Sequence, residues 1–431
     1  MTETTEPSPP TGTTTGSTSA TVPRATVAAT DRGAADRGAA DPGAADPGAA
    51  TGAATVWRDP KRYLWALGLV VPLLPFGARR MVEATGSDVF WWMGPIWILV
   101  LVPVLDTLVG TDPSNPPEWA VPQLEADRWY RWLTYLYLPL QYLGFAWAAW
   151  TAVHGGLSDW SQLGLALTVG TVAGVGINTA HELGHKRDRL ERRLSKVALA
   201  QTAYGHFYVE HNRGHHSRVS TPEDPASARL GESFWRFLPR TVIGSLRSAW
   251  DIAAAAQRRR GQRVWSWRND VLNAWALSVV LFGATVAWLG VAVIPFLVVQ
   301  AVFGFALLEV VNYIEHYGLL RRRVANGRYE RCRPTHSWNS NNLASNLVLY
   351  HLERHSDHHA NPTRRYQSLR HVDDAPQLPS GYALMICLAV VPPLWRRVMD
   401  RRVVAHYGGD VASANIAPHR RARVLARYGA G

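Results

Sequence analysis

Residues 161–180, SQLGLALTVGTVAGVGINTA, form an uncharged stretch that runs directly into residues 181–186, HELGHK. About 20 predominantly apolar residues are what an α-helix needs to cross the hydrocarbon core of a membrane. His181 and His185 are four residues apart, so on a helix they share one face and one metal ion could receive both imidazoles. The stretch therefore predicts a membrane-spanning helix that carries a pair of histidines at its end.

Further uncharged stretches have the composition of membrane spans. The segment between Asp270 and Glu309 is too long for one crossing, and Gly290 and Pro295 within it indicate a tight hairpin of two helices. The sequence thus predicts an all-α integral membrane protein with six transmembrane helices, near residues 63–78, 89–105, 132–153, 161–180, 271–289 and 292–308.

The basic residues predict the orientation of these spans. Residues 181–270 carry 17 Lys and Arg and residues 312–431 carry 18, whereas residues 154–160 and the hairpin near Gly290 carry none. Lys and Arg collect in cytoplasmic loops, so we expect a multi-pass protein of the cell inner (plasma) membrane with both termini cytoplasmic. Arg79 and Arg80 do not fit this scheme. The net charge of +12 is explained by topology and anionic lipid, and we expect no nucleic-acid partner.

The two ends of the chain differ from the membrane region. Residues 1–55 are of low complexity and contain four copies of a five-residue unit of the type DRGAA or DPGAA, which predicts a disordered tail. We expect a membrane catalytic domain over residues 56–395, with cytoplasmic histidine-bearing segments at 181–270 and 312–395. Residues 382–395 are too short to span comfortably and are interpreted as an interfacial helix or part of the packed core. Residues 396–431 are predicted to form a basic C-terminal tail.

Nine of the 16 histidines follow a pattern that indicates a metal centre. Besides the first pair there are two more histidine clusters, EHNRGHH at residues 210–216 and RHSDHH at residues 354–359. A single histidine stands in NYIEHYG at residues 312–318, where the last span ends. We interpret His211 and His215 as sharing one helix face, with His216 turned towards a second metal, and the third cluster as one stripe. The candidate ligands are His181, His185, His211, His215, His216, His316, His355, His358 and His359.

Nine ligands are too many for one ion, so two metals are predicted. Imidazoles without thiolates suit iron, zinc or copper. The chain has only Cys332 and Cys387, which excludes a cysteine-based zinc site, an iron–sulfur cluster and a fused rubredoxin domain. Carboxylates in or beside the clusters are candidates to accept a hydrogen bond from a ligand imidazole or to ligate directly: Glu182, Glu210, Asp224, Glu315 and Asp357. We expect His206, His336 and His351 to be neighbours rather than ligands.

These motifs resemble the membrane-bound alkane 1-monooxygenases of the integral-membrane histidine-rich di-iron oxygenases. HELGHK, EHNRGHH and RHSDHH look like the family's three histidine boxes and NYIEHYG like its fourth signature, and the flanks NTA, TPEDPASAR and HSWNSN agree. The resemblance covers about residues 60 to 380, with His351 and Glu353 departing from the commoner residues before the third box.

The resemblance implies a non-haem centre of two iron ions, with the nine histidines as its ligands and no haem. It also implies terminal hydroxylation of medium- to long-chain n-alkanes to 1-alcohols, with O2 as co-substrate. The electrons would come from a separate reduced rubredoxin, itself reduced by a rubredoxin reductase, on the cytoplasmic face.

Other functions remain open at this point. A xylene-type monooxygenase or a fatty-acyl desaturase or hydroxylase would have the same metal site with a different pocket. A metal transporter should place ionisable residues within its spans, and these spans are nearly free of them, with Asp106 at a span end the closest. For a hydrocarbon substrate we expect an apolar channel between the spans, its length limited by bulky residues near Trp91, Trp97, Trp147 or Trp150.

Overall fold

The computed structural model describes residues 57–429, and the regular elements within them are all helices, which confirms the all-α fold class. The predicted tail at residues 1–55 lies outside the described residues. In chain order the helices that matter here are α1 (Leu64–Thr85), α2 (Asp88–Val109), α3 (Val121–Ala126), α4 (Arg128–His154), α5 (Asp159–Gly184), α6 (Arg189–Ala200), α7 (Phe234–Arg259), α8 (Asp270–Leu289), α9 (Val291–His316), α10 (Leu343–Val348), α11 (His355–Ala360), α12 (Tyr382–Ala389), α13 (Pro392–His406) and α14 (Arg421–Tyr428).

Five of these helices, α1, α2, α5, α8 and α9, are long and apolar enough to cross a membrane, so the chain is a membrane protein. The predicted count of six spans is not confirmed. The sixth predicted span, residues 132–153, lies in α4, which is not among the five. α4 is a continuous helix of 27 residues. It is rich in Trp and Tyr, whose amphipathic rings suit the membrane–water interface and are less apolar than aliphatic side chains.

The central helix is α5, which is buried along most of its length and packs closely against α9. Glycines make this close approach possible. A Cβ on Gly170 would lie 2.9 Å from the carbonyl oxygen of Gln300, and a Cβ on Gly174 would lie 3.1 Å from the carbonyl oxygen of Gly304. Small residues let the backbones of membrane helices touch. The two helices that end in histidines are therefore held side by side.

The segments that follow α5 fold back against its end. The hydroxyl of Ser195 on α6 donates a hydrogen bond of 2.7 Å to the carbonyl oxygen of Ala180. A π-helical turn, Glu210–His215, then packs against α7, and the short helix α11 packs beside the turn at Pro334–His336. All the segments that carry the predicted ligands thus meet beside the ends of α5 and α9.

The C-terminal segment is not a separate tail. Trp395, Met399 and Val403 recur every fourth residue along α13 and are fully buried in the main hydrophobic core. Further on, the backbone N–H of Leu230 donates to the carbonyl oxygen of Asn415 at 2.6 Å. Residues 396–429, which charge alone suggested to be a basic tail, therefore pack on the main hydrophobic core, because the apolar side chains point inward while most of the arginines point outward. Residues 382–395 also pack into the core, chiefly through Tyr382–Ala389.

Candidate metal centre

The nine predicted histidines converge on two neighbouring points. One set, here the five-histidine group, consists of His181, His185, His211, His216 and His358. The other, the four-histidine group, consists of His215, His316, His355 and His359. Within each group the nitrogen atoms that could bind a metal all lie within 4.8 Å of one another. Among the residues that the structure describes, no other histidine joins either group.

The Nε2 atoms point to the middle of the five-histidine group. The Nε2 atom of His358 lies 2.9 Å from that of His181 and 3.2 Å from that of His216. The Nε2 atom of His216 in turn lies 3.1 Å from that of His211. The Nε2 atom of His185 is buried and has no hydrogen-bond partner.

The four-histidine group has the same arrangement. The Nε2 atom of His359 lies 2.9 Å from that of His355 and 3.3 Å from that of His215. The Nε2 atoms of His355 and His316 are 3.2 Å apart. Two nitrogen atoms that each lie about 2.1 Å from one ion, with a nitrogen–metal–nitrogen angle of about 90°, are about 3.0 Å apart. The observed spacings therefore fit imidazoles that share a metal ion.

The second cluster divides differently from our interpretation. We paired His211 with His215, but the structure puts His211 with His216 in the five-histidine group and His215 in the other. The reason is the π-helical turn, in which the backbone N–H of His216 donates to the carbonyl oxygen of His211, five residues earlier. A π-helix has more residues per turn than an α-helix, so residues i and i+5 come onto the same side.

The third cluster also serves both groups instead of forming one stripe. His355 and His359 are one turn apart on α11 and point to the four-histidine group. His358 is rotated by about 100° from His359 around the helix axis and points to the five-histidine group. The short helix α11 therefore lies between the two groups.

The imidazoles are suited to bind metal because they are held neutral. Burial, together with the repulsion that protonated neighbouring histidines would exert, lowers the pKa of six histidines outside the spanning helices well below the ordinary value: His185, His211, His216, His355, His358 and His359. A neutral imidazole keeps a lone pair on one nitrogen for a metal. Convergent lone pairs in a buried site, with no thiolate among them, are the donor set of a metal centre.

Two of the five predicted carboxylates contact a histidine of the site. Asp224 Oδ2 lies 2.9 Å from Nδ1 of His215, and Glu315 Oε1 lies 3.2 Å from Nδ1 of His355. Burial alone would raise the pKa of the Asp224 carboxyl, but His215 and the Ser227 hydroxyl lower that pKa to about 2. Asp224 is therefore ionised and orients the His215 ring through the nitrogen that faces away from the metal point.

The other three carboxylates have different partners. Glu182 pairs with Lys186 at 3.0 Å, and Asp357 accepts hydrogen bonds from Arg364. Glu210 pairs with Arg218 at 2.8 Å, and burial raises the pKa of the Glu210 carboxyl to about 7. These contacts brace the histidine-bearing segments without touching the rings.

One contact of the site was not foreseen. Nδ1 of His316 lies 3.4 Å from the carbonyl oxygen of His336, whose own side chain stays outside both groups. The only sequence signal was the position of His336 in the HSWNSN flank, which does not indicate that its backbone is the contacting part. His206 and His351 are buried elsewhere; Nδ1 of His351 lies 3.0 Å from the carbonyl oxygen of Tyr366.

A narrow cavity leads to both histidine groups. His181 and His211 of the five-histidine group and His355 of the four-histidine group form part of its wall. The wall between the helices is mostly apolar and includes Ile98, Val175, Leu307, Leu308, Val311 and Ile386. Trp91, Trp97, Trp147 and Trp150, the residues suggested as limits of a substrate channel, are not part of it.

Known proteins are similar in sequence to this chain over most of its length. The family model described as fatty acid desaturase matches residues 158–389, which include all nine histidines. An alkane 1-monooxygenase of Acinetobacter baylyi is 46% identical over 374 residues, covering 86% of this chain and 92% of the relative. An alkane 1-monooxygenase of Pseudomonas putida is 44% identical over 371 residues, with the same coverage. The xylene/toluene monooxygenase hydroxylase component of Pseudomonas putida is 27% identical over 325 residues, covering 73% of this chain and 84% of the relative.

Proposed function

This chain is an enzyme of the alkane 1-monooxygenase family, within the wider fatty acid desaturase family, and on that premise we propose that it hydroxylates medium- to long-chain n-alkanes at a terminal carbon. In the reaction one atom of O2 enters the 1-alcohol. The other atom leaves as water after taking up two electrons and two protons.

The observation that carries this proposal is the apolar cavity with histidines of both groups in its wall. A hydrocarbon chain has no polar group by which a protein could bind it, so it must be positioned by the shape of an apolar pocket. The cavity provides such a pocket, and a chain lying in it would bring its end to the histidine groups. A substrate that dissolves in the bilayer could reach this cavity laterally between the spanning helices.

We propose that the two groups hold one iron ion each, with all nine histidines as ligands. Bound iron would supply the activation of O2 that an unactivated C–H bond requires, which no acid, base or nucleophile of the chain can provide. Iron is favoured over zinc for this role because zinc has no redox chemistry. The resemblance to oxygen-dependent enzymes supports the same choice.

The protein's own contribution is position and exclusion of water. Asp224 holds the ring of His215, so that this ring presents Nε2 to the metal point, and Glu315 lies 3.2 Å from Nδ1 of His355. Leu308 and Val311 line the cavity on α9, in the two turns before His316, and keep the approach dry. The substrate would therefore meet the centre in an apolar surrounding.

The electrons must come from outside this chain. Cys332 and Cys387 are both free, and two cysteines cannot build the four-cysteine site of a rubredoxin. We therefore propose a separate rubredoxin, reduced by a rubredoxin reductase, that docks on the histidine-bearing side. The distribution of Lys and Arg supports an inner-membrane location with that side and both termini in the cytoplasm.

An isotope experiment tests the proposal. Membranes containing the chain are supplied with rubredoxin, rubredoxin reductase, reduced nicotinamide cofactor, n-alkanes of graded length and ¹⁸O-labelled O2. We expect 1-alcohols that carry one ¹⁸O atom, and none when rubredoxin is left out. A ring-methyl hydroxylation of xylene without alkane turnover, or an alkene product from a fatty-acyl substrate, would replace the proposal with one of the related activities.

A further inference from the structure

A second pocket opens at the surface between α13, α14 and the turn at Gly231. Its volume is about 110 Å³, and four arginines line it: Arg396, Arg420, Arg423 and Arg427. Arg396 and Arg420 are half-buried, while the other two are exposed. None of the residues in this pocket belongs to either histidine group, so it is a separate site.

The pocket has far more positive than negative charge. Asp400 is the one carboxylate in its wall, and it is buried and accepts a hydrogen bond of 2.7 Å from the hydroxyl of Tyr317. Within residues 57–429, no carboxylate lies within ion-pair distance of any of the four guanidinium groups. Like charges gathered around one pocket repel, and an anion between them would relieve that repulsion.

Apolar side chains beside the pocket indicate where it lies relative to the bilayer. Trp235, Val391 and Leu394 are exposed by 58%, 41% and 49%. The indole N–H of Trp235 donates to the carbonyl oxygen of Val390 at 2.9 Å, which ties the start of α7 to the start of α13. Exposed tryptophan next to aliphatic residues is typical of the membrane–water interface, with arginine just outside it. This composition would put the arginines of α13 and α14 at the level of lipid headgroups.

We propose that this pocket binds the phosphate group of an anionic ligand at the membrane surface. Guanidinium groups pair with phosphate through two parallel hydrogen bonds, and basic pockets on the cytoplasmic side of membrane proteins are suited to phospholipid headgroups. A free phosphate ion offers the same chemistry. The proposal does not depend on the hydroxylase function.

An occupant would also touch the framework of the metal centre. The backbone N–H of Gly231, in the pocket wall, donates to the hydroxyl oxygen of Tyr317 at 2.8 Å, and that hydroxyl donates to Asp400. Tyr317 directly follows His316. Binding would therefore hold α14 and the Gly231 turn in place against Tyr317, the neighbour of the proposed iron ligand His316.

The test follows the thermal unfolding of the full-length protein in detergent micelles. Dioleoyl phosphatidylglycerol, dioleoyl phosphatidylcholine and inorganic phosphate are titrated separately, since a ligand that binds only the folded state raises its melting temperature. The variant Arg396→Gln/Arg420→Gln is compared with Arg258→Gln/Arg259→Gln, which removes the same charge from an exposed site at the end of α7. The single variant Arg427→Gln is the second probe if the pocket variant does not fold.

We expect phosphatidylglycerol to raise the melting temperature of the wild type and of the α7 variant, and phosphatidylcholine not to do so. The pocket variant should need about thirtyfold more phosphatidylglycerol for the same rise. A rise with inorganic phosphate that is lost in the pocket variant would support the site with a free anion as its occupant. Equal responses of both variants, equal responses to the two lipids, or no response to any ligand would overturn the proposal.

Discussion

Gly174 on α5 and Leu307 on α9 meet in the wall of the cavity, where a Cβ on Gly174 would lie 3.1 Å from both Cβ and Cδ1 of Leu307. This contact is about 10 Å along α5 from His181. Because Gly174 has no side chain, we expect the size of the Leu307 side chain to decide how wide the cavity is at this level. The pair is therefore the structural feature by which we expect the chain to select alkane length.

Changing Leu307 should move that selection in both directions. Leu307→Ala should favour longer alkanes and Leu307→Phe shorter ones, with the ratio of kcat/KM for two test alkanes shifting by about tenfold. Product profiles from graded alkane mixtures measure the shift. Val302→Ala, an exposed position on the same helix, is the matched control and should leave the profile unchanged. If both Leu307 variants keep the wild-type profile, the contact does not limit chain length.

Asp224→Asn should weaken the metal centre. The substitution removes the charge that faces Nδ1 of His215, and the loss of such a partner weakens metal affinity by about 10- to 100-fold. Iron content after dialysis against a graded series of chelator concentrations measures the affinity. Asp373→Asn, at a side chain that is 98% exposed, serves as the control. Equal iron retention in the two variants would mean that Asp224 does not support the ligand.

Gly214→Ala should disturb the π-helical turn. An added Cβ would lie 2.5 Å from Oε2 of Glu210 and 2.6 Å from a guanidinium nitrogen of Arg218. The ends of these two side chains would have to move apart, which breaks the Glu210–Arg218 ion pair that braces the turn. We therefore expect a loss of about 1 kcal/mol of folding stability and a lower iron content. Thermal unfolding and iron analysis are the measurements. Gly283→Ala, where nothing lies within 4 Å of the new Cβ, should change neither; iron loss equal to that of Gly214→Ala would contradict the expectation.

His316→Ala tests the one histidine that stands alone in sequence. It approaches His355 at 3.2 Å, and we expect its loss to abolish alkane hydroxylation while the protein still folds in the membrane. Turnover is compared with that of His154→Ala, which removes an exposed histidine at the end of α4. Full activity of His316→Ala would remove it from the proposed ligands.

The sequence predicted which nine histidines come together, because the clusters are visible as motifs and the predicted topology puts them and His316 on one side of the membrane. It did not predict how they divide. The grouping of His211 with His216 depends on a π-helical turn, and nothing in the spacing distinguishes this turn from an α-helix. The split of His355 from His358 depends on where α11 lies between the two groups, which long-range packing decides.

The carboxylates show the same limit. Asp224 and Asp357 are both close to histidines along the chain, yet only Asp224 faces a ring, while Asp357 faces Arg364. The cavity wall is built from α2, α5, α9, α11, α12 and the π-helical turn with the segments beside them, so residues such as Ile98 and Leu307 could not be selected from any single stretch. Composition likewise suggested a basic tail after residue 395. A count of charged residues does not show that Met399 and Val403 face inward and are buried.

The most direct test of the central claim is the number of irons per chain, measured with alkane hydroxylation in the same preparation. We predict two irons in the active wild type and one in the double variant His355→Ala/His359→Ala, which keeps the five-histidine group but should have no activity. Full hydroxylation by a wild-type protein with a single iron, or by the variant with one, would contradict the account.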